Sequence, residues 1–311
     1  MSTTSSFVWH HPVGVTVAGD GVLGANSGRL NMPWDVAIDS QLNVYVADAF
    51  NNRIQFWAQG SANGQSLVVS NGTITALYLD DSGKYLYYCD EDNGNVGKLS
   101  LSNLTITTIA GGNGPGSDYN QISACGGIYV DPMSNVYVAD TFNHRIMLWP
   151  PLSTTGTLIA GTGVQGHGND QLYHPLGIFV DRAGNSWIAD TWNSRIQLWS
   201  KGSSHGTTII GQHGAGSNLD GLVSPMSVIV DSCGNIYVSD FRKNCIMKFT
   251  PGAHSGLIVA GTGVDGHSSN QLSDPVGIKF DKNGDLYVAD RGNNRVQKFI
   301  MNNSVCGRYE S

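Results

Sequence analysis

His174-Pro-Leu-Gly-Ile-Phe-Val-Asp181, then Asn185-Ser-Trp-Ile-Ala-Asp190, then Asn193-Ser-Arg-Ile-Gln-Leu-Trp199, then Gly206-Thr-Thr-Ile-Ile-Gly211: these four runs decide the fold. Each is short and rich in β-branched or aromatic residues, which suits a strand and is too short for a helix. The first three are apolar on both faces, as a strand covered on both sides must be. Asp181-Arg-Ala-Gly-Asn185 between the first two is a hairpin turn in which Gly184 supplies the positive φ. The stretch from Asp190 to Arg195 is a wider hairpin. Its Asp can accept backbone N–H bonds across the turn, and its Arg can reach back to the Asp.

The same frame recurs along the chain. Val-Ala-Asp, or a close variant, ends at Asp48, Asp90, Asp140, Asp190, Asp240 and Asp290, with a first interval of 42 residues and the last four of 50. A second Asp recurs at Asp39, Asp80, Asp131, Asp181, Asp231 and Asp281, so the two sets hold 12 of the 22 Asp residues. A fixed period of this size is the mark of a repeat architecture. Six units of four short strands predict an all-β chain, a six-bladed β-propeller of four-stranded antiparallel blades. The single domain, 1–311, divides into blades near 20–70, 71–110, 111–161, 162–211, 212–261 and 262–300. The last blade has no fourth run in frame after residues 294–299, whereas the N-terminus has one to spare, Val13-Gly-Val-Thr-Val-Ala-Gly19. It matches Gly156-Thr-Leu-Ile-Ala-Gly161 and Gly256-Leu-Ile-Val-Ala-Gly261. The N-terminal strand at 13–19 is therefore expected to complete the last blade, which removes an open sheet edge.

The frame Pro-x-Gly-Ile-x-Val-Asp, Asn-x-Tyr-Val-Ala-Asp, Asn-x-Arg-Ile-x-x-Trp/Phe resembles the NHL repeat over roughly residues 13–300. Blade 2 departs from it, reading Tyr85-Leu-Tyr-Tyr-Cys-Asp90 with Asn95 in place of Arg, and blade 5 has Cys245 at the Arg position. The resemblance implies a protein-binding or RNA-binding module acting through the face that bears the Asp-to-Arg turns. It also raises an alternative, a propeller enzyme of the amidating-lyase or lactonase type with a metal in the central channel. Fold does not choose between them.

Composition narrows the choice. The chain has 311 residues, a net charge of −7 and a pI of about 5.6, with no run of Lys or Arg. A nucleic-acid partner would need a basic face, so a protein or glycan partner is favoured. Only Glu91 and Glu310 are Glu, which leaves almost no candidates for a glutamate base. The N-terminal stretch reads as no signal peptide and no apolar run approaches membrane-spanning length. The compartment stays open, and the chain reads as intracellular or as one domain of something larger; a monomer is expected. Five cysteines, Cys89, Cys125, Cys233, Cys245 and Cys306, form no CxxC pair, so scattered buried thiols are expected and a zinc site is not.

Several motifs carry a functional and a bland reading. Gly161-Thr-Gly-Val-Gln-Gly166 and Gly261-Thr-Gly-Val-Asp-Gly266 spell GxGxxG, but no helix follows to hold a pyrophosphate, so they are inter-blade loops and no cofactor is expected. His167 and His267 lie in blades that are not adjacent, too far apart to share a metal. The positions that would carry channel zinc ligands in a lyase hold Trp34, Thr75, Gly126, Leu176, Met226 and Val276, and these supply neither His nor lactonase-type calcium ligands. Asp48 with Arg53, Asp140 with Arg145, Asp190 with Arg195 and Asp290 with Arg295 repeat around the ring, which marks structural braces rather than an asymmetric catalytic site. Two residues after each repeated Asp stand Phe50, Asp92, Phe142, Trp192, Arg242 and Gly292. Trp34, Phe50, Phe142, Trp192 and Arg242 are the candidate partner-binding residues, since aromatic and Arg side chains dominate interface hot spots. Asn71-Gly-Thr, Asn103-Leu-Thr and Asn302-Asn-Ser are N-glycosylation strings that matter only in a secreted chain; chance explains them adequately.

Overall fold

The computed structural model describes residues 12–211, 216, 219–253 and 255–301. Six four-stranded antiparallel sheets are arranged as the blades of a propeller. In the fourth blade the strands are Pro175–Val180, Ser186–Asp190, Arg195–Trp199 and Gly206–Ile210, in that spatial order. The sixth blade is composite. Its outer strand is Gly14–Ala18, paired antiparallel with Arg295–Phe299, so the ring is closed by strands from the two ends of the chain. No helix is long and apolar enough to cross a membrane among the described residues.

Blades are held together by their flat faces. Between the third and fourth blades, for example, Ala139, Ile146, Ile178, Ile188 and Trp199 form one buried cluster, and comparable clusters fill the other five gaps. Burial on both faces explains why the second strands read as continuous apolar runs. The third strand ends on a buried aromatic in five blades, Trp57, Trp149, Trp199, Phe249 and Phe299. A glycine opens the facing strand because no Cβ fits over that ring: one added at Gly206 would lie 2.4 Å from Trp199.

Five of the six inner strands are bulged near their start, as between Pro175 and Ile178 and between Pro275 and Ile278. A bulge bends the strand and re-aims the residues before it. Here it turns the first residues of the inner strands toward the central channel. Hydroxyl groups tie neighbouring blades at this level: Thr75 donates to the Cys125 carbonyl, Thr141 to Pro175, Thr191 to Pro225 and Ser239 to Val276.

The reading of the cysteines as scattered thiols is corrected. Cys89 and Cys125 are 36 residues apart in sequence but face each other across the gap between the second and third blades, and they form a disulfide. Cys233 is disulfide-bonded as well. Spacing along the chain carries no signal of this pairing, because the ring geometry, not local sequence, brings the two strands together. Among the described residues Cys245 remains a free thiol; burial and the neighbouring Asp240 push it up to about 12.

Candidate binding face

The second strand of each regular blade ends on the repeated Asp, and a three-residue 3-10 turn follows, as at Thr191–Asn193. The next residue takes the left-handed conformation: Asn52, His144, Ser194, Asn244 and Asn294 all have φ between 50° and 54°. Such a turn sends its middle side chain outward and returns the chain to the Arg position.

The buried Asp190 carboxylate organises this turn. It accepts the Tyr173 amide at 2.7 Å, the Asn193 side-chain amide at 2.8 Å and Arg195 Nε at 2.7 Å. Burial pushes its carboxyl up, and these donors pull it back. The rest of the Arg195 guanidinium donates to the carbonyls of His167, Gly168 and Gln171 in the loop from the previous blade. Arg53, Arg145 and Arg295 repeat the pattern on Asp48, Asp140 and Asp290 and on their own lead-in loops. In blade 5, where Cys245 stands at the Arg position, Lys243 donates to the Gly221 carbonyl of the equivalent loop.

On this platform Phe50, Phe142 and Trp192 are exposed at 58%, 56% and 59%. They fall into two groups. In the first, between blades 3 and 4, Trp192 stacks on His174 with ring centroids 4.2 Å apart and planes inclined by 12°. Phe142 meets His174 edge-on at 5.2 Å, and Tyr173 meets Trp192 edge-on at 5.1 Å. His144 lies 4.9 Å from His174 and its Nδ1 accepts the His174 backbone N–H. Burial holds both imidazoles below their ordinary range, with mutual repulsion adding to the effect on His174.

In the second group the Arg291 guanidinium lies 5.2 Å from the half-buried Trp34 ring, 5.9 Å from Phe50 and 5.7 Å from Phe241. Asp274 stands 4.0 Å from Arg291 Nη1. Arg242 is exposed on the turn Phe241–Lys243, and Phe241 and Arg291, not Arg242, make the ring contacts. Blade 2 differs again and presents Glu91 and Asp92 at its turn, with burial and Asp92 raising the Glu91 carboxyl. The face is therefore asymmetric although the scaffold under it is regular.

The channel that opens beneath this face holds a cavity of only about 30 Å³, room for a water molecule or two, with Trp34, Thr75, Gly126, Met226 and Val276 in its wall. Asp35 also lines it. Its Oδ1 accepts the Val36 amide at 2.8 Å and its Oδ2 the Leu77 amide at 2.9 Å, with Lys279 Nζ 4.0 Å away. Burial raises its carboxyl and Lys279 opposes the rise. These residues do not fit a metal: the one carboxylate spends both oxygens on backbone amides. No group of three or more His, Cys, Asp or Glu is placed to hold an ion among the described residues.

Sequence reading missed Asp35, Tyr173, His174, His144 and Arg291. Asp35 had a signal, since Gly127, Gly177 and Gly277 occupy the same slot in three other blades. His174 had a weaker one, a bulky residue just before Pro175, and in the fold it takes φ 50°. Nothing in the sequence pairs it with Trp192.

The NHL repeat family matches residues 30–55 and 272–299. Among solved structures the chain is similar to an auxiliary nutrient binding protein from Bacteroides thetaiotaomicron, at 14% identity and a TM-score of 0.71, covering 96% of this chain and 78% of that one. A gluconolactonase from Xanthomonas campestris is similar at 12% identity and a TM-score of 0.65, covering 93% and 99%. A streptogramin B lyase is similar at 14% identity and 0.59, covering 96% and 100%. At such identities the likeness concerns the fold alone. No curated protein matches the chain significantly. The chain is thus a six-bladed β-propeller that carries NHL repeats at residues 30–55 and 272–299.

Proposed function

We propose that the chain is a non-enzymatic binding scaffold that presents its turn face to a protein or glycan partner. One observation carries this reading: Trp192 is more than half exposed yet held by a face-to-face stack on His174. An aromatic side chain left in water but already fixed in place loses little freedom on binding, the property of an interface anchor. Phe142 and Tyr173 extend the platform to a width that a sugar ring or an aromatic side chain could cover. Trp34, Phe50 and Arg242 supply further contacts around the same face. The acidic net charge favours protein or glycan over nucleic acid.

The experiment is capture by the immobilised chain from a glycan array and from a protein library, in parallel with Trp192→Ala. Ligands kept by the parent and lost by the variant, at unchanged melting temperature, support the proposal. Equal capture by both overturns it.

A second reading, an amidating-lyase or lactonase type of propeller enzyme, draws on Asp35 and Lys279 in the channel. It requires a channel able to admit substrate and a bound metal, and metal analysis of the purified chain tests it.

A further inference from the structure

We propose that Asn103 is an N-glycan attachment site, in a chain that folds in an oxidising, secretory compartment. Asn103, Leu104 and Thr105 form the exposed tip of the hairpin between strands Asn95–Ser100 and Ile106–Gly111. Asn103 Oδ1 accepts both the Thr105 backbone N–H at 3.2 Å and the Thr105 hydroxyl at 2.8 Å. Leu104, at φ 59°, makes the bend that allows it. Both donors fall on the carbonyl oxygen, so the amide nitrogen Nδ2 has no hydrogen-bond partner among the described residues and is free to react. These contacts span two residues, so the nascent segment can form them before the domain folds.

That arrangement leaves the acceptor nitrogen open to glycan transfer. Nδ2 attacks C1 of a lipid-linked oligosaccharide, the donor class the reaction requires. The C1–Nδ2 bond forms, the C1–O bond to phosphate breaks, polyprenyl diphosphate leaves, and the amide proton passes to a base of the transferase. The string Asn71-Gly-Thr is built otherwise. Asn71 Oδ1 accepts from Asn93, and the Thr73 hydroxyl and backbone N–H both donate to Asp92. Those partners are 22 and 19 residues away and exist only in the folded blade, where Gly72 is buried. The third string, at Asn302, lies outside the described residues.

The compartment rests on independent observations. Cys89 and Cys125, both fully buried, are joined across the gap between two blades, and Cys233 is disulfide-bonded too. Such bonds form and persist where thiols are oxidised. Each pair of thiols gives up two protons and two electrons to a thiol–disulfide exchange catalyst. The glycan transferase works in the same kind of compartment. The Leu101 amide bonds the Lys84 carbonyl, which puts the Asn103 tip beside the hairpin Asp80–Lys84, on the face opposite Trp192. A glycan there leaves the aromatic platform clear.

The test takes the full chain from cells that make it naturally, blocks free thiols at lysis and digests without reduction. Peptide N-glycosidase in heavy-oxygen water then labels each glycosylated Asn. The expected result is a labelled Asn103 and a peptide joining Cys89 to Cys125. An unlabelled Asn103, or alkylated Cys89 and Cys125, overturns the proposal. In the full chain secreted from cultured eukaryotic cells, Thr105→Ala and Leu104→Pro should abolish the label at Asn103 and Thr105→Ser should keep it. Occupancy at Asn71 as high as at Asn103 would refute the geometric assignment.

Discussion

Trp192 and His174 lie face to face, 4.2 Å between centroids, although they belong to different segments of the fourth blade. One stands on the turn after the second strand and the other leads into the inner strand, and the Trp192 amide bonds the Tyr173 carbonyl between them. The stack fixes an exposed ring without burying it. Truncating Trp192 to Ala should therefore weaken partner binding by about 2 kcal/mol or more, as for other aromatic hot spots, and barely move the melting temperature. Titration of the captured partner against parent and variant measures the first quantity, and a thermal melt the second.

The same cluster should respond to acid. His144 and His174 are held below 6.5 by burial, so their neutral forms are the ones the fold favours. A His depressed in the folded state contributes stability that is complete above its unfolded value and lost as pH falls through its folded one. The melting temperature should thus fall as pH drops below 6.5, more than in His144→Asn. Asparagine keeps the left-handed turn, as Asn52, Asn244 and Asn294 show in other blades. Parallel pH profiles for parent and variant would expose the idea as wrong.

The ring was legible in the sequence because each blade repeats the same turn chemistry, and the spare strand at residue 13 showed how it closes. The aromatic tips were legible too, since Phe50, Phe142 and Trp192 break the repeat at one slot. Their partners were not. His174, Tyr173 and Arg291 meet these rings through packing between a turn and a lead-in segment, and no spacing rule connects those positions. The Cys89–Cys125 bond was hidden for the same reason.

Arg195→Ala should destabilise the chain without touching the partner. It strands the fully buried Asp190 and releases three loop carbonyls. Breaking a buried pair from one side costs about 3 kcal/mol. Denaturant melts should show that loss. A variant of parental stability that no longer bound its ligand would move Arg195 from the scaffold to the site.

Gly277→Ala should also be costly, by about 1–3 kcal/mol as for other overpacked cores. A Cβ at Gly277 would come within 2.1 Å of Asp35 Oδ1 and 2.7 Å of Asp35 Cα. Because the second clash is with backbone, adding Asp35→Gly should not restore the lost stability. Full rescue in the double variant would mean the strain lies in the carboxylate alone.

Closure of the ring gives the strongest effect. Gly14, Val15, Thr16 and Ala18 pair with Phe299, Lys298, Gln297 and Val296, and Gly14 also bonds the Ser269 carbonyl. Ala18 belongs to the buried cluster with Leu30, Val36, Trp57 and Val296, where the sixth blade meets the first. Deleting residues 1–19 takes out this strand, uncovers that cluster and leaves Arg295–Phe299 as a bare edge. Exposed edges recruit other chains. The truncated chain should lose its cooperative melt and aggregate on refolding. Partial structure could survive the loss of one strand, so the decisive reading is cooperativity: a sharp transition at the parental temperature after the N-terminal deletion would show that the other five blades hold the ring without it.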